Sequence, residues 1–466
     1  MSFSDLFLLY AFLPLCLLIY YSVKSIRTKN TVLLVASLIF YSSGGFGYLA
    51  LLLLSAALNY FFALFIRQES KPKNAKFFTT CAVITNILML AVFKYTDFFI
   101  SNTNTLFSLT IPLTNIALPI GISFYTFKAI SYIVDVYWEK VDPQKNYFNF
   151  LLYISMFPTI VAGPIIRYDS VENELTSRRT SFNDINDGIG RIIVGLAKKV
   201  IISNSLAAAT SNFFTTTVSS ASVLSVWMGA ACFALQMYFD FSGYSDIAVG
   251  LGRLFGFNIM ENFNYPFISK TVSEFWQRWH ISLGTFFKDY LLYLPIFGKR
   301  RKYFSLFLVW FCTGFWHGAS WNFIIWGLYF GVFMLFETLL GKKRIKQIPN
   351  FLKHIATVLI FVIGFGIFKF TNITELGSFF AGLIGIGHSF ISDSFVSTFK
   401  QYIFLIIGAI ICSLPIVPMI KERIKNIRPL ALSAQTATIL INITLLVIST
   451  IFLHDATNNP FMYADF

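Results

Sequence analysis

Histidine next to tryptophan occurs twice in the chain, at Trp279-His280 and Trp316-His317, and both pairs sit where polar residues interrupt an apolar pattern. The second lies in TGFWHGASWNFIIWG, residues 313 to 327, with His317 between Gly314 and Gly318 at the end of one short apolar run and the start of another. Glycines at such a place let backbones approach closely and allow a helix to break. Desolvation there disfavours an imidazolium, so His317 is read as a neutral ring able to take a proton from a hydroxyl, the general-base candidate of the sequence. His280 lies in a segment of mixed character, NFNYPFISKTVSEFWQRWHISLGTFFKDYLLYLP at 262 to 295. On its own a histidine among aromatics is more often a packed structural residue. His354, His388 and His454 fall near expected helix ends or in more polar loops and are read as structural.

Two carboxylates form a further polar feature. Residues 236 to 246 read QMYFDFSGYSD, placing Asp240 and Asp246 inside a stretch long and apolar enough to cross a bilayer. Charges at that depth are costly and face a cavity or a partner. Either they mark a site or pathway, or they pair with Arg253 or Lys270 and fix the helix. Other chemistries find no support: there is no HExxH motif and no close His/Cys/carboxylate cluster for a metal, no GxSxG, and no Walker loop. The five cysteines, at 16, 81, 232, 312 and 412, are scattered singly through apolar runs and read as packing residues.

The elements that must hold these groups are membrane helices. Of the 466 residues, 56% are hydrophobic and 12% charged, and the mean hydropathy is +0.68, whereas soluble domains are roughly a quarter charged. Runs at 5 to 23, 77 to 100, 186 to 212, 221 to 252, 320 to 341, 352 to 371, 402 to 420 and 434 to 453 approach the ~20 residues a spanning helix needs. They lack the alternation of a barrel strand, so the expected fold is all-α and polytopic, with about 11 to 12 transmembrane helices. The 262 to 295 segment is too polar to span and is expected to form amphipathic or re-entrant helices at the cytoplasmic face. The net charge of +14 is gathered in short segments between the apolar runs, such as Arg67 to Lys76, Lys299 to Lys302 and Lys342 to Arg344. That placement points to the positive-inside rule rather than to nucleic acid, and threading the chain on it leaves both termini outside. No Lys or Arg precedes Lys24, so the first apolar run reads as an anchor rather than a cleaved leader. No long hydrophilic stretch or solenoid repeat appears, and a single membrane domain over 1 to 466 is expected.

Several long motifs, in order, resemble one family. LPIGISFYTFKAISYIVDVY at 118 to 137, AGPIIRY at 162 to 168, QMYFDFSGYSDIAVGLGRLFGFNIMENFNYPF at 236 to 267, EFWQRWHISLGTFFKDY at 274 to 290 and GFWHGASWNFIIWGLYFG at 314 to 331 are similar to the membrane-bound O-acyltransferases. The resemblance is to the bacterial branch containing the alginate and peptidoglycan O-acetylation proteins and the D-alanyl transferase of teichoic acid. It implies a membrane fold with a central funnel, His317 as the catalytic histidine and His280 as the second site residue. Asp240, Tyr244, Asp246, Trp316 and Asn322 are the expected substrate contacts. It further implies acyl transfer from a cytoplasmic donor to an acceptor outside the bacterial cytoplasmic membrane, with acetyl-CoA as donor substrate and no bound cofactor. A carrier-protein donor for D-alanyl transfer is the alternative. The final FMYADF at 461 to 466 matches an FxYxxF tail of this group, which implies an acyl relay on the Tyr463 hydroxyl to an exported esterase-like O-acetyltransferase partner. The run LYLPIFGKRRK at 292 to 302 departs from the YIPLGG common in alginate-type members, and no donor contact is assigned to it. A transporter would share the membrane carboxylates but show repeat symmetry, which the sequence lacks.

Overall fold

The computed structural model describes residues 3–69, 71–214, 218–292, 301–424, 426–454 and 461–462. Among them the architecture is helical throughout, and the one strand-like contact is an isolated antiparallel bridge between Phe263 and Trp279. Eight helices are long and apolar enough to cross a membrane: Phe46–Gln68, Pro72–Phe107, Phe182–Phe214, Val223–Phe255, Trp321–Gln347, Asn350–Lys369, Asp393–Cys412 and Ser433–His454. The chain is thus the all-α polytopic membrane protein expected. Three further helices are shorter, Ile26–Ser42 of 17 residues and Ile122–Tyr137 and Lys302–His317 of 16 each. The run expected at 402 to 420 is displaced toward the N-terminus. Its helix begins at Asp393, where the Ser392 hydroxyl accepts from the Phe395 amide at 3.2 Å, and ends at Cys412, before Pro415. Proline ends what hydropathy alone would prolong.

The chain divides into two compact units. The first comprises 1–192, 244–260 and 458–466, and the second 193–243 and 261–457.

In the first unit an aromatic cluster joins the N-terminal segment to later helices. The Phe3 ring lies 5.5 Å from Phe40, 6.3 Å from Phe157 and 5.1 Å from Tyr244. The helix Ile122–Tyr137 starts after Gly121, whose φ of 71° is left-handed and whose missing side chain makes room for the Ile160 carbonyl; a Cβ would stand 2.1 Å from it. A second node is Arg178. Its Nε donates to the Tyr20 hydroxyl at 3.0 Å and the Phe255 carbonyl at 2.9 Å, another guanidinium nitrogen donates to Asn30 Oδ1 at 2.6 Å, and the group stacks on the Phe257 ring at 4.4 Å. Arg178 is therefore a buried cross-link, not one of the free surface cations its neighbourhood suggests.

In the second unit the helices Lys302–His317 and Trp321–Gln347 form a hairpin with a glycine seam. A Cβ on Gly314 would lie 2.3 Å from the Phe323 carbonyl, and one on Gly327 would lie 2.4 Å from the Trp310 carbonyl. Only hydrogen fits at either position, which is the small-residue packing membrane helices use where apolar burial supplies no net drive. The helix Val272–Arg278 is tied to this hairpin at its N-terminus. Glu337 accepts from the Val272 amide at 2.6 Å and the Ser273 amide at 2.9 Å, while Thr271 accepts from the Glu274 amide at 3.0 Å. A carboxylate on the exposed amides of a helix start satisfies orphan donors and meets the positive end of the macrodipole.

Candidate functional site

The site is built where two chain breaks fall in the second unit. The helix Lys302–His317 ends at His317, Gly318 continues in extended conformation, and a new helix starts at Trp321. The expected break is present, and it leaves the imidazole on the last helical residue. His317 is 3% exposed. Its ring lies 4.8 Å from Trp316, 4.8 Å from Trp326 in an edge-on arrangement and 5.2 Å from Phe368.

His280 sits at the other break. The helix Val272–Arg278 stops, Trp279 is extended, and His280 takes left-handed angles of φ 46° and ψ 54° before the helix Ile281–Phe287. A left-handed conformation costs a non-glycine residue on the order of 1 kcal/mol, because its Cβ crowds the following carbonyl, and it is held here by its surroundings. The Asn264 amide donates to the Arg278 carbonyl at 2.9 Å and the Ile281 amide to the Asn262 carbonyl at 3.0 Å, so residues on both sides of His280 are pinned to 262–264. The ring is 2% exposed. It meets Phe241 edge-on at 4.6 Å and Trp316 at 6.2 Å. Burial pushes its pKa down to about 3, which leaves a neutral imidazole at physiological pH. Trp316 thus touches both histidine rings, and two residues 37 positions apart become neighbours of one indole.

Asn322 opens the hairpin's second helix beside this cluster. Its Nδ2 donates to the Ile367 carbonyl at 3.3 Å and the Phe368 carbonyl at 3.1 Å, and Phe368 is the ring against His317. Asn322 Oδ1 and the Trp326 indole Nε1 are buried and make no hydrogen bond among the described residues. A buried polar atom left in this state costs about 1 to 3 kcal/mol, so both atoms suit contact with a bound polar substrate. Trp326 was part of a quoted motif but carried no expected role; a tryptophan in an apolar helix gives no sign of an orphaned donor until its neighbours are known.

Asp240 belongs to the same unit but is engaged otherwise. Lys199 Nζ lies 2.7 Å from its Oδ1, with the two side chains 4% and 0% exposed. Asp246 belongs to the first unit, where Arg191 pairs with it at 2.7 Å. The cations facing the two aspartates are therefore Lys199 and Arg191, not Arg253 or Lys270; Arg253 instead reaches Asp187 at 3.3 Å. Each pair rests beside a glycine contact. A Cβ on Gly243 would lie 2.7 Å from the Gly195 carbonyl, and one on Gly250 would lie 2.6 Å from the Gly188 carbonyl. Such close backbones bring charged side chains from two helices into direct reach. Tyr244 also belongs to the first unit, where Phe461 packs edge-on against it at 5.1 Å and is 1% exposed. Tyr463 lies outside the described residues, as do residues 293–300 between the two site segments. His354 and His388 face the Ser269 and Ala221 carbonyls at 2.9 and 2.5 Å, in keeping with structural roles.

Helices of spanning length, and a buried pair of histidines lined by aromatic rings, define an integral membrane protein with a site suited to proton transfer. Residues 140–380 match the MBOAT, membrane-bound O-acyltransferase family. The chain is 37% identical over 396 residues to the probable alginate O-acetylase AlgI of Pseudomonas aeruginosa, covering 83% of this chain and 75% of that protein. It is 32% identical over 417 residues to the peptidoglycan O-acetyltransferase of Helicobacter pylori, covering 81% and 79%. The teichoic acid D-alanyltransferase of Bacillus subtilis is 31% identical over 275 residues, covering 54% and 67%. The chain belongs to the membrane-bound O-acyltransferase family and is an O-acyltransferase of the alginate and peptidoglycan branch.

Proposed function

We propose that this enzyme moves an acetyl group from cytoplasmic acetyl-CoA across the bacterial cytoplasmic membrane for O-acetylation of an extracytoplasmic polysaccharide. The observation that carries the reading is the pair His317 and His280, both buried and both against Trp316. His317 takes the proton of an acceptor hydroxyl, and the oxygen attacks the thioester carbonyl. The tetrahedral intermediate then collapses, coenzyme A leaves as its thiolate, and that sulfur receives the proton held by His317. A neutral base in a dry aromatic setting suits this sequence, because no water competes for the thioester. The Trp326 indole Nε1, on the ring packed edge-on against His317, is a side-chain donor for an oxygen atom of the substrates. The acceptor hydroxyl is that of Tyr463, from which an exported esterase-like transferase passes the acetyl group to the glycan. Both chain ends face outward in this scheme, a placement supported by the basic segments between the apolar runs.

Support for the acetyl donor comes from the relatives named for O-acetylation, which match more of the chain than those named for D-alanyl transfer. The test is purified protein in nanodiscs with acetyl-labelled acetyl-CoA, followed by thiol release and mass spectrometry of the C-terminal peptide. Label on Tyr463, lost together with thiol release in His317→Ala, is the expected result. Full thiol release by His317→Ala would overturn the base assignment. No turnover of acetyl-CoA, alongside turnover of a D-alanyl carrier protein, would move the enzyme to the second reaction class.

A further inference from the structure

The side chain of Asn262 lies 18 residues before His280 in sequence and beneath it in the fold. Its Oδ1 accepts from the Ser282 amide at 3.1 Å and from the Ser282 hydroxyl at 2.9 Å, and it stands 3.2 Å from His280 Nδ1. A backbone amide can only donate. The Asn262 atom facing it is therefore the amide oxygen, since the flipped side chain would set an NH2 group against an N–H. That oxygen faces His280 Nδ1 as an acceptor, so Nδ1 must carry a hydrogen. In a neutral imidazole the other nitrogen, Nε2, then holds the lone pair. Asn262 is itself 1% exposed and its backbone carbonyl accepts from the Ile281 amide, so the acceptor cannot swing away without breaking the pinned segment.

We propose that Asn262 is a positioning residue that fixes His280 as the Nδ1–H tautomer and so makes Nε2 a proton acceptor at the site. The left-handed backbone at His280 aims the ring; the Asn262 oxygen decides which of its nitrogens is basic. A consequence follows for the division of labour: Nε2 of this tautomer cannot donate to a developing oxyanion, so donors such as the Trp326 indole must do so. This rests on the acyl-transfer reading for its use in catalysis, but the tautomer itself does not.

The experiment is 15N NMR of the full-length protein with labelled histidine, in nanodiscs at neutral pH and without substrate. Five histidines make the spectrum tractable, and the His280 signals are assigned by their loss in His280→Gln. The expected result is a protonated Nδ1 and an unprotonated Nε2 in the wild type. Asn262→Ala should mix or reverse the tautomer and lower kcat on the order of 100-fold with KM little changed, as wrong-tautomer and lost-orienter substitutions do. Asn262→Asp, which keeps an acceptor oxygen, should hold the tautomer and recover most of the rate. A wild-type spectrum with Nε2 protonated overturns the proposal even where neither variant folds, and so does an unchanged tautomer in an inactive Asn262→Ala. If the tautomer is as stated but acetyl-CoA is not turned over, the reaction assignment fails and the positioning role stands.

Discussion

Substituting Asp240 by Asn separates a structural carboxylate from one that serves a substrate. The Lys199–Asp240 contact is 2.7 Å between side chains 4% and 0% exposed. At that distance two unit charges attract by about 6 kcal/mol at an effective dielectric of ~20. Most of this offsets the desolvation of the two ions, so the pair as a whole contributes little beyond what two apolar side chains would. Removing one member is different: Lys199 is left buried beside a neutral amide, a loss of about 3 to 5 kcal/mol. The thermal midpoint of purified Asp240→Asn in detergent should therefore fall on the order of 5 to 10 °C. The double variant Lys199→Met with Asp240→Leu should return most of that loss, with an interaction term well above the few tenths of a kcal/mol seen for independent sites. Thiol release per folded molecule should stay near the wild-type value in both variants. An Asp240→Asn protein with a wild-type midpoint and no activity would refute the reasoning, because the carboxylate would then act on a substrate and not on Lys199.

Other expectations follow from the same coordinates. Gly327→Ala places a methyl group about 2.4 Å from the Trp310 carbonyl; the hairpin must part, at about 1 to 3 kcal/mol, and thermal midpoint and kcat should drop together because His317 ends one arm. Arg178→Lys loses the two Nε contacts and the planar stack on Phe257 and should cost roughly 2 to 3 kcal/mol of stability by thermal unfolding, while turnover per folded molecule is unchanged. His280 is held near a pKa of about 3 in the fold against ~6.5 when unfolded. The unfolded chain therefore binds the extra proton as pH falls below ~6.5, and stability declines on that side. Between pH 7.5 and 5 the wild-type midpoint should drop more than that of His280→Asn; equal drops would contradict the burial of a neutral ring.

Much of the helical layout was legible because long apolar runs leave a membrane chain few options. The run at 186 to 212 lies within the helix Phe182–Phe214, the run at 221 to 252 starts two residues before the helix Val223–Phe255, and the break at His317 falls between the glycines that announced it. Hydropathy misplaced the helix Asp393–Cys412, where capping and proline outweigh apolar content. The partners of the aspartates were not legible. Lys199 and Asp240 are 41 residues apart, and their meeting depends on Gly195 and Gly243 allowing two backbones to touch, which only the folded pair of helices displays. Asn262 was hidden for a related reason. An asparagine between Glu261 and Phe263 gives no periodic signal, and its tie to His280 exists because the chain doubles back through the Phe263–Trp279 bridge. Fold class and histidines come from local pattern; the groups that orient them come from long-range closure.

The 16-residue helix that carries His317 has one more implication. At 1.5 Å per residue it rises about 24 Å, short of the ~30 Å hydrocarbon slab. Were Arg301 and Lys302 to sit among headgroups at its start, its far end would stop inside the slab. Lipid on the opposite side would then thin to meet it. Bilayer thickness then becomes a variable of the reaction. Acyl-chain length in a reconstituted membrane would set how deep the histidine lies, and turnover should change with it.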